Sequence, residues 1–179
     1  RVVASPAATD AAASSTAFWS LIRFFACLAL MFACARIGAL LVPLNWRLAP
    51  PEHLYILQNA DVKVLFCEDE FTEGTRSIED DLADCRVLAM NDAFENLVAA
   101  APDDTVDHAV GLDDPLLIVY TSGTSGRPKG AILTQNAMTF NAINSVAMHD
   151  MTSSDIIFTN LPMFHVGGLN IQTTPALHA

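Results

Sequence analysis

Basic residues are scarce. Nine Lys and Arg face twenty Asp and Glu, a net charge of −11. Such a chain has no cationic face for a phosphodiester backbone, which excludes nucleic-acid binding through charge. Metal-type cysteine spacing is also lacking. Cys27, Cys34, Cys67 and Cys85 form no CxxC pair and stand at no zinc-like distance from a histidine. Free thiols in a reducing, cytoplasmic compartment are expected, and no metal site. No long apolar run is present either. The longest uncharged apolar block, Phe24–Ala35, has twelve residues between Arg23 and Arg36, whereas a spanning helix needs about 20. A membrane or signal role for this region is therefore the weaker reading beside a buried helix. No repeat of solenoid length is visible.

What remains is a 179-residue chain with 52% apolar residues, enough for one modest domain with a core. Sixteen of the twenty acidic residues lie between Asp61 and Asp114, the pattern of solvated loops and helix faces. Residues 1–16 are rich in Ala, Ser and Thr and carry little pattern. Phe18–Leu40 reads as one apolar helix. Its two "FAC" triplets lie seven residues apart, on one side of two helical turns. "LLVPLN" (40–45) reads as a strand, "APPEHLYILQNA" (49–60) as a helix entered by prolines, and "VKVLFCE" (62–68) and "RVLAM" (86–90) as strands. Asn91 can cap a helix over 92–100, and Thr134 or Asn136 one reaching His149. "DDPLLIVYTS" (113–122), "GAILT" (130–134) and "DIIFTNL" (155–161) complete the strands, and "PMFHVGGLN" (162–170) reads as a loop. Strands alternating with helices predict an α/β fold with a mostly parallel sheet and flanking helices.

The stretch "YTSGTSGRPKGAILT" (120–134) concentrates the chemistry. Glycines let backbone N–H groups turn toward an anion. Thr121, Ser122, Thr124 and Ser125 add rotatable hydroxyl donors. Lys129 supplies a compact charge and Arg127 a planar fork, with Pro128 stiffening the chain between them. These are the parts of a polyphosphate cradle. The Walker loop does not fit. Pro128 stands where that motif demands Gly, and Gly130 where it demands Ser or Thr.

"YTSGTSGRPKGA" resembles the phosphate signature of the adenylate-forming, AMP-binding superfamily, which includes acyl-CoA synthetases, aryl-CoA ligases and luciferases. "LPMFHVGGL" (161–169) is similar to that superfamily's acyl-side segment, and "ACARIGALLVPLNWRLAPPEHLYILQNADVKVLF" (33–66) to its early region. "RIGALLVPLNWRL" has the flavour of medium- or long-chain members. The resemblance covers Met31–Ala179, so 31–179 is expected to be the N-terminal portion of a large AMP-binding domain. Residues 1–30 are left unmatched, a disordered or mis-assigned leader.

The resemblance implies an AMP-forming carboxylate–CoA ligase using ATP, Mg2+ and CoA. A carboxylic acid would be activated as acyl-adenylate and then passed to the thiol. It implies that Thr121, Ser122, Gly123, Thr124, Ser125, Gly126 and Lys129 hold the β- and γ-phosphates. It also implies that Lys129 and His165 act in catalysis, and that Phe164, Gly167 and Gly168 shape the acyl entrance. His53, His108, His149 and His178 read as structural, and Trp46 and Arg47 as support for the fold. The superfamily's aromatic-Gly-x-Thr-Glu motif, ribose Asp and late catalytic Lys have no match here. An incomplete copy, inactive by itself, is therefore expected, and a non-catalytic remnant that binds nucleotide weakly or not at all is the open alternative.

Overall fold

The apolar run Leu116–Val119 forms the middle of the strand on which the rest is hung. A computed structural model describes residues 2–4, 15–82, 84–102, 109–122 and 126–179. Its elements are β1 (Val2–Ala4), α1 (Ser15–Ile37), β2 (Leu41–Pro43), α2 (Pro50–Asn59), β3 (Val64–Cys67), α3 (Thr72–Glu79), β4 (Arg86–Ala89), α4 (Asp92–Ala99), β5 (Pro115–Thr121), β6 (Lys129–Thr134), α5 (Gln135–His149) and α6 (Thr174–His178). Among the described residues the strands form one six-stranded sheet in the order β4-β3-β1-β2-β5-β6. All neighbours pair in parallel except β5 and β6, an antiparallel hairpin registered from Pro115↔Thr134 to Thr121↔Lys129.

From Leu117 onward the residues of β5 alternate between two cores, as the pleat requires, while Leu116, at a register irregularity of the hairpin, joins the same core as Leu117. Leu117 and Val119 face one that also holds Cys27, Leu28, Met31 and Cys34 of α1, Met138 of α5, and Met163 and Leu169. Ile118, with Tyr120 packed beside it, faces the other, built by Ile56 and Leu57 of α2, Leu65 of β3 and Ile78 of α3. Helices thus cover both faces of a mostly parallel sheet. The two cysteines of the repeated triplet do point the same way. Burial pushes the Cys27 thiol up to about 12 and the Cys34 thiol to about 11, and all four cysteines are free.

Local chemistry explains the helix starts. Pro50 and Pro51 open α2, where a missing N–H costs nothing, and Glu52 accepts the Ala49 N–H at 3.0 Å. At α5 the choice between two caps resolves in favour of Thr134, whose Oγ1 accepts the Ala137 N–H at 3.1 Å.

Some elements differ from the sequence pattern. Val2–Ala4, in the patternless stretch, is a strand pairing with both β2 and β3. The helix expected over Phe18–Leu40 runs Ser15–Ile37, and α3 was not anticipated. Asp155–Leu161 is not a strand. Its residues find no ladder partner among the described residues, and Ile156 and Phe158 stand 98% and 81% exposed. A β-branched, aromatic run becomes a strand only when another strand satisfies its backbone. The expected loop 162–170 is loop only at its start, because Gly167–Thr173 forms a π-helical turn that runs into α6. No helix among the described residues is long and apolar enough to cross a membrane.

Candidate functional site

Because β2 and β5 are parallel, both end at the carboxyl edge of the sheet, where open α/β sheets place their ligands. The glycine and hydroxyl loop leaves β5 at that edge and returns through β6. Thr121 ends β5 opposite Lys129, the first residue of β6, and its hydroxyl reaches the Lys129 carbonyl at 3.5 Å. Pairing therefore fixes the two ends of the loop against each other.

Of the residues expected to grip phosphate, Thr121, Ser122, Gly126 and Lys129 are described and exposed. Gly123, Thr124 and Ser125 lie outside the described residues. Gly126 has φ +82°, the left-handed backbone that admits glycine, and no atom would crowd a Cβ there. Among the described residues no carboxylate lies within 4 Å of the Lys129 ammonium. An exposed cation, the exposed Ser122 and an uncrowded turn fit a polyanion. Arg127 differs from its expected use, since its guanidinium lies over the Tyr55 ring, 5.8 Å from the centroid.

His165 sits on a separate, equally constrained turn. Gly168 and Leu169 donate their N–H groups to the His165 carbonyl at 3.0 and 3.2 Å. The Gly167 N–H donates to His165 Nδ1 at 3.0 Å, which leaves the ring proton on Nε2. A Cβ on Gly168 would run into the Pro162 carbonyl oxygen, so the turn closes only without a side chain there. Buried Met163 and Leu169 fix this segment to the core under β5. His165 itself is exposed, and no hydrogen bond joins it to the described residues of the phosphate loop. Two of the other described histidines have local partners. His53 Nε2 bonds the Asn45 carbonyl oxygen at 2.8 Å, and His149 Nδ1 bonds the Ser145 carbonyl oxygen at 2.8 Å. His108 lies outside the described residues. Trp46 packs against Phe71 and under the Arg47 guanidinium, consistent with support.

The sequence pattern of AMP-binding enzymes matches residues 21–179. The chain belongs to the AMP-binding enzyme family. It is 49% identical over 159 residues to an indoleacetate–CoA ligase of Aromatoleum aromaticum, an alignment covering 85% of this chain and 31% of that one. A feruloyl-CoA synthase of an Amycolatopsis species is 39% identical over 147 residues, covering 82% and 28%. The ATP-bound crystal structure of MatB from Rhodopseudomonas palustris superimposes with a TM-score of 0.77 at 26% identity, covering 98% of this chain and 33% of that one. The chain thus spans about a third of the length of the relatives it matches. Its α/β architecture is the N-terminal part of the adenylate-forming fold.

Among the described residues no group of three or more His, Cys, Asp or Glu could hold a metal ion. The described residues thus offer no such cluster for the Mg2+ that the resemblance implies. Sequence reading missed Tyr55 and Asn59 beside the phosphate loop. Their only signal was a four-residue spacing on α2, which puts both on one helix face.

Proposed function

We propose that this chain is the phosphate-gripping, N-terminal part of an AMP-forming carboxylate–CoA ligase working in the cytoplasm. In that reaction a carboxylate oxygen bonds to the α-phosphorus of ATP as the bond to the departing pyrophosphate breaks. The CoA thiol then bonds to the acyl carbon and AMP leaves. Thr121, Ser122, Gly123, Thr124, Ser125, Gly126 and Lys129 hold the β- and γ-phosphates, so that charge builds on pyrophosphate against fixed donors. His165 presents its Nε2–H as a donor on the acyl side, and Phe164, Gly167 and Gly168 border the acyl entrance. Mg2+ travels with the nucleotide and is held by groups other than those described.

The observation that carries the reading is Lys129. Its ammonium has no carboxylate partner among the described residues, and it opens β6 three residues after a left-handed glycine, at the carboxyl edge of the sheet. The free thiols agree with a reducing compartment. Aryl acids come first among acids to try, because the relatives at 49% and 39% identity are an indoleacetate–CoA ligase and a feruloyl-CoA synthase.

A chimera tests this. Residues 21–179 replace the matching segment of the Aromatoleum ligase, and pyrophosphate release is followed with ATP and indoleacetate, ferulate or fatty acids. Carboxylate-dependent release is expected. A folded chimera that releases none would mark this segment as a remnant.

A further inference from the structure

We infer that Tyr55 and Asn59 of α2 are positioning residues that brace both arms of the phosphate loop, and that Arg127 anchors the loop while Lys129 meets the anion. The inference rests on the polyphosphate reading given above. It begins with the outgoing arm. The Tyr120 hydroxyl donates to Asn59 Oδ1 at 2.6 Å, a contact across 61 residues of sequence. The Tyr120 ring lies against Gly130 of the returning strand. A Cβ on Gly130 would come within 3.1 Å of Tyr120 Cζ and 2.7 Å of Ile118 Cγ2. Tyr120 is thus held between the backbone of β6 and the side of α2.

The returning arm meets the same helix face. The Arg127 guanidinium lies 5.8 Å from the centroid of the Tyr55 ring. A planar cation over an aromatic face is an attractive arrangement, and it turns the fork toward α2. Tyr55 and Asn59 are four residues apart on α2, so one face of one helix receives both arms. Tyr55 is itself packed against the core beneath α2, which makes it a fixed support. The two cations of the loop therefore have different tasks. Arg127 has an aromatic partner within the protein. Lys129 has no carboxylate partner among the described residues. Ordering the arms during folding leaves less entropy to lose when an anion binds.

The test uses the 179-residue chain with inorganic pyrophosphate as the probe, followed by calorimetry and by amide hydrogen exchange. Asn59→Ala, Tyr55→Leu and Arg127→Gln should each weaken pyrophosphate binding about threefold to tenfold. The double variant Tyr55→Leu with Arg127→Gln should lose no more than either single change, as expected of one shared contact. Lys129→Gln should lose more than any of them. Asn59→Ala and Tyr55→Leu should also speed exchange at the Gly126 and Lys129 amides, and Asn59→Asp, which keeps an acceptor for Tyr120, should restore slow exchange. The brace is overturned if Arg127→Gln costs as much as Lys129→Gln while Tyr55→Leu costs nothing, since Arg127 would then touch the anion itself. It is equally overturned if exchange is unchanged in Asn59→Ala and Tyr55→Leu. A wild-type chain that binds no pyrophosphate sinks the polyphosphate reading, and the exchange rates then decide the brace by themselves.

Discussion

The phosphate loop and the His165 turn are built by opposite means. The loop is spanned by a ladder whose two strands adjoin it directly, so its ends are fixed by neighbours close in sequence. The His165 turn is held by apolar anchors, Met163 and Leu169, that reach a core assembled from α1, β5 and α5. It also follows a strand-like stretch with no strand to pair with among the described residues. A ladder sets register residue by residue. Burial fixes a segment's depth and leaves its flanks to whatever else packs there. The loop's ends are thus specified locally, and the His165 turn owes its place to distant parts of the chain.

Four sets of perturbations sharpen that contrast. The largest effect belongs to Lys129→Ala in the chimera. It should slow pyrophosphate release about tenfold to a thousandfold, the scale of losing one transition-state donor, and leave acyl transfer from preformed adenylate nearly unchanged. His165→Ala should instead impair the carboxylate-dependent step with ATP affinity retained. Equal losses in both half-reactions for Lys129→Ala would make the lysine a structural residue.

Next comes Gly168→Ala. The Cβ clash with the Pro162 carbonyl should cost about 1–3 kcal/mol of stability, measured by urea unfolding. Amide exchange should quicken around His165 first and leave the β5–β6 ladder protected. A uniform change over both regions would mean that the two are not separately held.

A third perturbation is alkaline pH, acting on the core that the His165 turn shares with α1. The Cys27 and Cys34 thiols ionise at about 12 and about 11 in the fold, against an ordinary value of 9.0. The unfolded chain therefore loses these protons first. Their contribution to stability is complete below pH 9.0 and disappears as pH climbs toward 11 and then 12. The drop in urea midpoint between about pH 8 and about pH 10 should be smaller in a Cys27→Ala, Cys34→Ala double variant. An identical drop would show that these thiols do not govern the alkaline limb.

Phe158→Ser should do least. The side chain is 81% exposed, so stability should stay within about 0.5 kcal/mol. A larger loss would reveal packing at 155–161 comparable to that of the hairpin.

What could be read from the sequence follows the same division. β5 and β6 were legible because the apolar strand and the returning strand lie close together in the sequence on either side of a glycine-rich connection. The α5 start was legible because a capping hydroxyl acts over three residues. Asp155–Leu161 misled because its composition favours a strand while its pairing depends on other chain. Gly167 and Gly168 misled in another way. Glycine ordinarily breaks a helix, yet here the absent side chain lets the backbone close against Pro162. Tyr55 and Asn59 carried no signal beyond their four-residue spacing on α2, and only the fold brings them to a loop more than sixty residues away.

The unpaired stretch has a practical consequence for handling the protein. Proteases bind their substrates as extended chain, and an exposed stretch without ladder bonds offers itself first. The backbone from Met151 to Leu161 is such a stretch, with Phe158 as an accessible side chain for a chymotrypsin-like enzyme. A brief digestion should cut there before it cuts the hairpin. The product would be a large piece that keeps the whole glycine and hydroxyl loop and a small one that carries His165. The two could then be tested for reassociation, a direct measure of how strongly Met163 and Leu169 grip the core without a covalent tether.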